Sequence, residues 1–538
     1  MNRRILAAAA VQRFSFRLVM GVALLALPAQ ALVAASCSVI KHNPPTEAGK
    51  AFLAADFAKA EALYRADLAK TAGDVDATVG LVESLLAQQK VLEAGDAVKT
   101  ALAAAPASAP FLTLRGEVEL RQGQPWVVEQ TVLASYKLDP CNPRTRLLFA
   151  RFAQVNSRYA TARQQILLAH QFDPEDPQIR LEWIKTLPAD QRVKELEAYL
   201  SAPTGDDQAT LHQLHSDLDR WKKEAGEAPH ACHIASTAAP ADIPFINLAG
   251  WGGHVRGYGL EAGINNATVR LQFGAGEGGL TIYRPVADRA GLKRISQPEA
   301  GAFGKPTYTA VADSIKIGNL EFKDCAVKVI DSGSPFDDGE GTIGMDAFSD
   351  YMVTLDYPMR KVQLGPLPLR PGETATDAPI LRTVSADEVA VPHDRYIAPE
   401  MKDYTQVYRV GGNLILPAAL NASNVKLFLL DLGAGATDIS PAVAMDVSKV
   451  HEKEMDGGHN HPSYKILIAD EITFSFAHMS QKVNGVVAAD TGMRSKATGM
   501  EIAGSIGANT FSVLTMHIDY RDGLVKFEYI PNRGYNHQ

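Results

Sequence analysis

The chain has 538 residues, a formal net charge of −8 and 46% apolar residues. That length exceeds what one hydrophobic core serves, so two to four domains are expected. The acidic balance gives no reason to expect nucleic acid as a partner. No Walker-type or dinucleotide-type glycine loop appears between a strand and a helix, and no cofactor is expected.

Residues 1–37 read as a signal peptide or lipoprotein leader. Arg3, Arg4, Arg13 and Arg17 precede the apolar run Leu18–Ser36. Ala29-Gln30-Ala31 fits a signal-peptidase site, and Ala34-Ala35-Ser36-Cys37 a lipoprotein-like one with lipid on Cys37. The run is also close to spanning length, which leaves a retained anchor as a third reading. Each implies export: periplasmic, secreted, or membrane-anchored. The four cysteines, Cys37, Cys141, Cys232 and Cys325, lie far apart without a CxxC, so their spacing defines neither a disulfide framework nor a zinc site. If Cys37 carries lipid, at least one thiol is left unpaired.

Residues 45–222 are rich in Ala, Leu, Gln and Glu at helical spacing. Pro106, Pro140 and Pro174 stand 34 residues apart. Ala94, Val128 and Ala162 keep the same spacing, as do Val98, Val132 and Ile166, and Ala101, Ser135 and Ala169; Ala60 and Tyr64 begin the pattern one period earlier. Small residues at fixed helical positions let two helices pack closely, and the proline ends the second. The pattern resembles the tetratricopeptide repeat, although the aromatic and glycine positions are poorly kept apart from Gly116. The resemblance implies a solenoid with a concave side, serving either as a peptide or protein docking surface or as a spacer or oligomerisation module.

Residues 223–242 lose the period, and their Ala, Pro and Ser content suggests a linker. His230 and His233 flank Cys232 there, a pattern read as solvated linker rather than metal ligands.

From Ile243 the texture becomes alternating β-branched and polar residues with glycine turns. Two segments match without a gap at an offset of 163: "GTIGMDAFSDYMVTLDYPMRKVQL" from Gly341 and "GSIGANTFSVLTMHIDYRDGLVKF" from Gly504. Upstream, Val311–Phe322 parallels Ile468–Met479, and Asn265–Ala287 parallels Asn421–Ala444. Two β-rich lobes, 243–368 and 391–532, are expected, joined by a linker over 369–390. The paired blocks resemble the retropepsin-like aspartic proteases, in particular the bacterial branch with an Asp-Thr-Gly-Ala turn early and an Ile-Gly-x-x-x-Phe…Asp-Tyr block late. The fold class expected is an all-α tetratricopeptide-like solenoid followed by two all-β retropepsin-like lobes.

The resemblance implies one aspartate from each lobe at their interface, under a hairpin flap that closes over an extended peptide. Peptide hydrolysis by this route needs two carboxylates sharing one proton. The second lobe offers Asp431, followed by Leu432 where the family has a hydroxyl, then Gly433 and Ala434. The match of "QFGAG" to "DLGAG" puts Gln272 at the aspartate position, Phe273 at the hydroxyl position, and Gly274 and Ala275 in the turn. A Gln amide cannot trade a proton near neutral pH. Asp331 and Asp490, in "DSGS" and "DTGM", look closer to the protease triplet, but only about a dozen residues separate them from the late glycine blocks, too few for a flap. They are read as loop residues. Gly301 and Gly304 mark the first-lobe flap. His451–Ser463 marks the second, and His451, His459 and His461 are read as an exposed tip rather than a metal site.

Three functions stay open at this point. The lobes bind extended peptides and cleave them. They cleave only when two chains bring their Asp431 residues together. Or the protein is a non-catalytic scaffold for peptides or proteins, with partners also held by the helical repeats.

Overall fold

The computed structural model describes residues 37–531, apart from 225–229, 237–239, 250–254, 275–277, 301–304, 335–337, 375–378, 385–391 and 456–462. Its first half is a helical repeat. Helices of fourteen residues, Phe57–Lys70, Val91–Ala104, Pro125–Leu138 and Tyr159–Phe172, begin 34 residues apart. They alternate with Val75–Ala87, Ala109–Arg121, Pro143–Val155 and Pro177–Ile184, also at that spacing. The second set starts from a ladder of N-caps. Asp74, Ser108, Asn142 and Asp176 each accept a hydrogen bond from a backbone N–H in the first turn of the helix they open. The small positions are the packed ones: Ala60, Ala94, Val128 and Ala162 are all buried. The last helices, Ala189–Leu200 and Gln208–Glu224, leave the strict spacing.

Among the described residues, the β-rich half holds two ten-stranded sheets and one six-stranded sheet. The six-stranded sheet joins the two halves of the duplication. Tyr351–Asp356 pairs antiparallel with Leu514–Asp519, with Met352 opposite Asp519 and Asp356 opposite Thr515. Thr354 faces His517 at the centre, 2.9 Å between Oγ1 and Nδ1 and 163 positions along the chain. Equivalent residues meeting at the midpoint place a pseudo-twofold axis there. The flanking hairpin strands Lys361–Pro366 and Leu524–Tyr529 follow, then Ala241–Pro244 and Thr405–Gln406 at the edges.

The expected linkers contain more structure than their composition suggests. Within 223–242, Ala231–Ile234 pairs with Leu320–Ile330, and Ala241–Pro244 joins the central sheet. Cys232 is bridged to Cys325, with Cα atoms 4.1 Å apart, and His230 bonds Asp324 at 2.5 Å, so this stretch is an edge of the first lobe and not a free connector. Within 369–390, the Thr383 carbonyl accepts the Leu280 N–H and Leu381 is buried. Further along, the wholly buried Asp522 holds both ends of the connection through Arg370 (2.6 Å) and the Tyr396 N–H (3.0 Å). A second bridge, Cys37–Cys141, has Cα atoms 5.6 Å apart. All four cysteines are therefore paired, and a chain carrying lipid on the Cys37 sulfur could not hold this bridge.

The solenoid docks on the second lobe. Leu120, Val128, Val132, Leu148 and Phe152 share one buried cluster with Ile415, Leu427, Leu429, Met500 and Ile502. The Glu501 N–H donates to the Arg121 carbonyl at 2.8 Å, and Thr161 bonds Asp394 through both its N–H and its hydroxyl. Gly123, at φ +68°, turns the chain at this contact; a Cβ there would stand 2.5 Å from the Glu501 carbonyl oxygen. Gly123→Val is expected to destabilise the protein by about 1–3 kcal/mol and loosen the docked face. Thermal melting together with amide exchange at Glu501 checks this, and an unchanged melt with full protection there contradicts it.

Candidate functional site

The site lies where the two early turns meet. In the second lobe, Val425–Asp431 runs parallel to Gly504–Gly507, with Asp431 opposite Gly507. In the first lobe, Ala267–Gly274 runs parallel to Gly341–Gly344, with Gln272 opposite Thr342 and Gly274 opposite Gly344. Gly344 and Gly507 are equivalent in the duplicated block, so Gly274, not Gln272, is the counterpart of Asp431. The same register makes Phe273 the counterpart of Leu430, and places the hydroxyl position at Ala275, outside the described residues. Matching the two Gly-Ala-Gly triplets shifts the alignment by two residues. A shift of two preserves strand alternation, so periodicity gives no warning of it.

The two turns touch. The Gly433 carbonyl accepts the Tyr258 N–H at 2.9 Å and the Gln272 Nε2 at 3.3 Å. A Cβ on Gly433 would lie 1.8 Å from the Phe273 carbonyl oxygen, so only glycine permits this approach. Ala434 pairs with Gly257, and the Gly435 N–H donates to the Arg256 carbonyl at 3.0 Å. Gln272 is held in turn by Arg256, whose Nη1 donates to Oε1 at 2.6 Å while Nη2 donates to the Asp338 carbonyl. Leu432 is buried in the shared core, and its carbonyl accepts the Tyr357 hydroxyl at 3.4 Å. The first lobe thus covers the Leu432–Gly435 side of the Asp431 turn.

Asp431 is partly exposed, and its Oδ1 accepts the Ala434 N–H at 2.8 Å. Burial holds its carboxyl above the usual carboxylate range. The N–H groups of Ala434 and Gly433 and the charge of Arg494 oppose that rise, and Asp438 adds to it. Arg494 is committed to Asp438 through two bonds, at 2.5 and 3.0 Å, and the Ser505 hydroxyl also bonds Asp438. Arg256, Tyr258, Asp438 and Arg494 belong to the site and carry no motif that the sequence reading used.

The remaining expectations fall as follows. Asp331 pairs with Arg284 at 3.0 Å, and Asp490 caps its own turn through the Gly492 N–H. The segment expected as the second-lobe flap contains an antiparallel pair of strands, Val450–Met455 and Tyr464–Ala469, with His451 beside Asp470. Gly301, Gly304, His459 and His461 lie outside the described residues. Among those described, no group of three or more His, Cys, Asp or Glu converges as a metal site requires.

No protein-family model matches the chain, and no curated protein matches it. Among solved structures it is similar to a thermophilic tetratricopeptide-repeat protein of Thermus thermophilus, at 14% identity over 31% of this chain and 90% of that one, with a TM-score of 0.25. The repeat assignment rests instead on the 34-residue spacing of this chain's own helices and caps.

The folded state holds the Asp431 proton more tightly than the unfolded chain does. Its ionisation therefore costs stability progressively as pH rises above the unfolded value of 3.8, and the cost is complete above the folded pKa. Asp431→Asn removes that cost and keeps the acceptor for Ala434. The variant should melt higher than the parent at neutral pH, with the gap closing on acidification. A gap independent of pH, or a lower melting temperature at neutral pH, contradicts the assignment.

Proposed function

We propose that the β-rich half is a retropepsin-like pair of lobes that binds an extended peptide at its interface without efficient hydrolysis. The observation that carries this is the register: Gly274 stands opposite Gly344 as Asp431 stands opposite Gly507. Water activation by two carboxylates sharing a proton needs an acid from each lobe, and glycine supplies none. Asp431 keeps a different capacity. A half-buried acid that retains its proton can donate a hydrogen bond to a peptide carbonyl, and its ionised form can accept from a peptide N–H. Gln272 and Arg256, beside it, add neutral and cationic donors. The two-stranded hairpin over Val450–Ala469 is of the kind that covers an extended ligand through backbone bonds.

The helical repeat is a scaffold in this reading, with one face spent on the second lobe and another left to a protein partner. Export fits the cysteine chemistry. The Cys37–Cys141 and Cys232–Cys325 bridges form and persist in an oxidising compartment, as the leader reading of residues 1–37 requires.

The test is a screen of fluorescent peptide libraries from acidic to neutral pH, reading binding by anisotropy and cleavage by mass spectrometry. Wild type should bind extended peptides and leave them intact, and Asp431→Asn should bind several-fold more weakly. Cleavage abolished by Asp431→Asn returns the protein to the hydrolases. Absence of peptide binding removes the lobe interface as the functional site.

A further inference from the structure

The chain enters the described structure at Cys37, immediately after the apolar run Leu18–Ser36. It is tied at once to the solenoid edge. Cys37 bonds Cys141, the Ile40 N–H donates to the Phe172 carbonyl at 2.8 Å, and His42 bonds the buried Asp173 at 2.7 Å. Cys141 follows the end of helix Pro125–Leu138 and Phe172 ends helix Tyr159–Phe172, so the strap crosses the C-terminal ends of two neighbouring helices.

This edge is apolar where water would be expected. Val39 and Ile40 on the strap are 55% and 40% exposed, and Leu138 is 50% exposed. Leu133 and Leu167, one repeat apart on the adjacent helices, are exposed as well. Lys41, next to Ile40, Lys137, next to Leu138, and Arg163, one turn before Leu167, are also exposed. The acids of the same stretch divide: Asp173 is buried on His42 and the partly buried Asp139 accepts the Cys141 N–H, while Glu129, one turn before Leu133, is exposed and pairs with Arg158. Glu175, two residues beyond Asp173, is exposed. Aliphatic side chains interleaved with cations suit the boundary between acyl chains and anionic headgroups. No helix among the described residues is long and apolar enough to cross a membrane.

We propose that the solenoid edge around the Cys37–Cys141 bridge lies on an anionic bilayer surface, held there by the apolar run that precedes it. The inference rests on the export reading in its retained-anchor form. The bridge gives it mechanical sense. With Cys37 fixed to the solenoid, no slack chain separates an anchor from the folded body, and the edge carrying Leu138 and Leu167 is presented to the lipid.

The experiment uses the full chain reconstituted into phosphatidylglycerol–phosphatidylethanolamine vesicles. An environment-sensitive dye is placed on Leu138→Cys or Leu167→Cys, with Met493→Cys as the control. Met493 is 86% exposed, on the second lobe. All three sites are at the surface, and an unchanged melting temperature confirms each fold. Nitroxide lipids should quench the dye several-fold at 138 and 167 and leave 493 unaffected. Vesicle-bound chain with no quenching at 138 and 167 overturns the surface and leaves the anchor standing. Chain that does not associate with vesicles overturns both. Concentration-dependent shielding of 138 and 167 without lipid assigns the edge to a second copy and also overturns the proposal.

Discussion

The backbone pairing of Tyr351–Asp356 with Leu514–Asp519 is the constraint on which the β-rich half depends. A two-stranded antiparallel contact with equivalent residues at its centre fixes the lobes about one axis. A one-residue slip would turn every inward side chain of both strands outward, so the register is strongly held. Val353, Leu355, Met516 and Ile518 are all wholly buried and make such a slip expensive. The late glycine blocks lie directly upstream of these strands, and each carries the early strand of its own lobe beside it. The meeting of Gly433 with Phe273 and Tyr258 follows from that geometry.

The interface holds without the hydroxyl that the resemblance leads one to expect. Leu432 buries its side chain in the common core, next to the aromatic group of Phe245, Phe273 and Tyr357, whose rings lie 5.4 Å from the Phe245 ring. Burying a leucine contributes about 1.5–3 kcal/mol, against about 0.5–1.5 kcal/mol for a typical hydrogen bond. An apolar residue at this position can therefore keep the lobes together at least as well as a hydroxyl would. What it does not provide is the fine orientation of two acids. A site with one acid has less need of that orientation.

How much of this was legible in the sequence depends on how local each signal is. The 34-residue spacing and the paired late blocks are repeated patterns, and both mark real elements. The cap ladder Asp74, Ser108, Asn142 and Asp176 was equally visible as four capping residues at one spacing. The partner of Asp431 was not legible, because two identical glycine triplets offered a better-looking match than the strand register allows. Anchoring on Ile282 and Ile439, which oppose the equivalent glycines Gly341 and Gly504, would have corrected it. The disulfides require Cα atoms within bonding range, and spacings of 104 and 93 residues carry no such information. The strand Ala231–Ile234 owes its state to the neighbour it pairs with and the bridge that holds it, not to its composition.

The apolar run ahead of Asp431 finds its explanation in the solenoid. A strand covered on one face alternates; a strand covered on both reads as continuous apolar sequence. Phe428 and Leu430 point into the lobe core, while Leu427 and Leu429 join the cluster formed with Leu120, Val128 and Phe152. The counterparts of Leu427 and Leu429 in the first lobe are Arg270 and Gln272, both partly exposed and held by polar contacts, Arg270 to the Asn247 carbonyl and Gln272 to Arg256. The helical repeat therefore accounts for the difference between the two copies as much as any divergence of chemistry does. It buttresses the strand that carries the acid, while the first-lobe strand meets the interface through Gln272 and Arg256. An array of repeats used in this way is part of the construction of the site, and its docked face must stay closed for Asp431 to stay where it is.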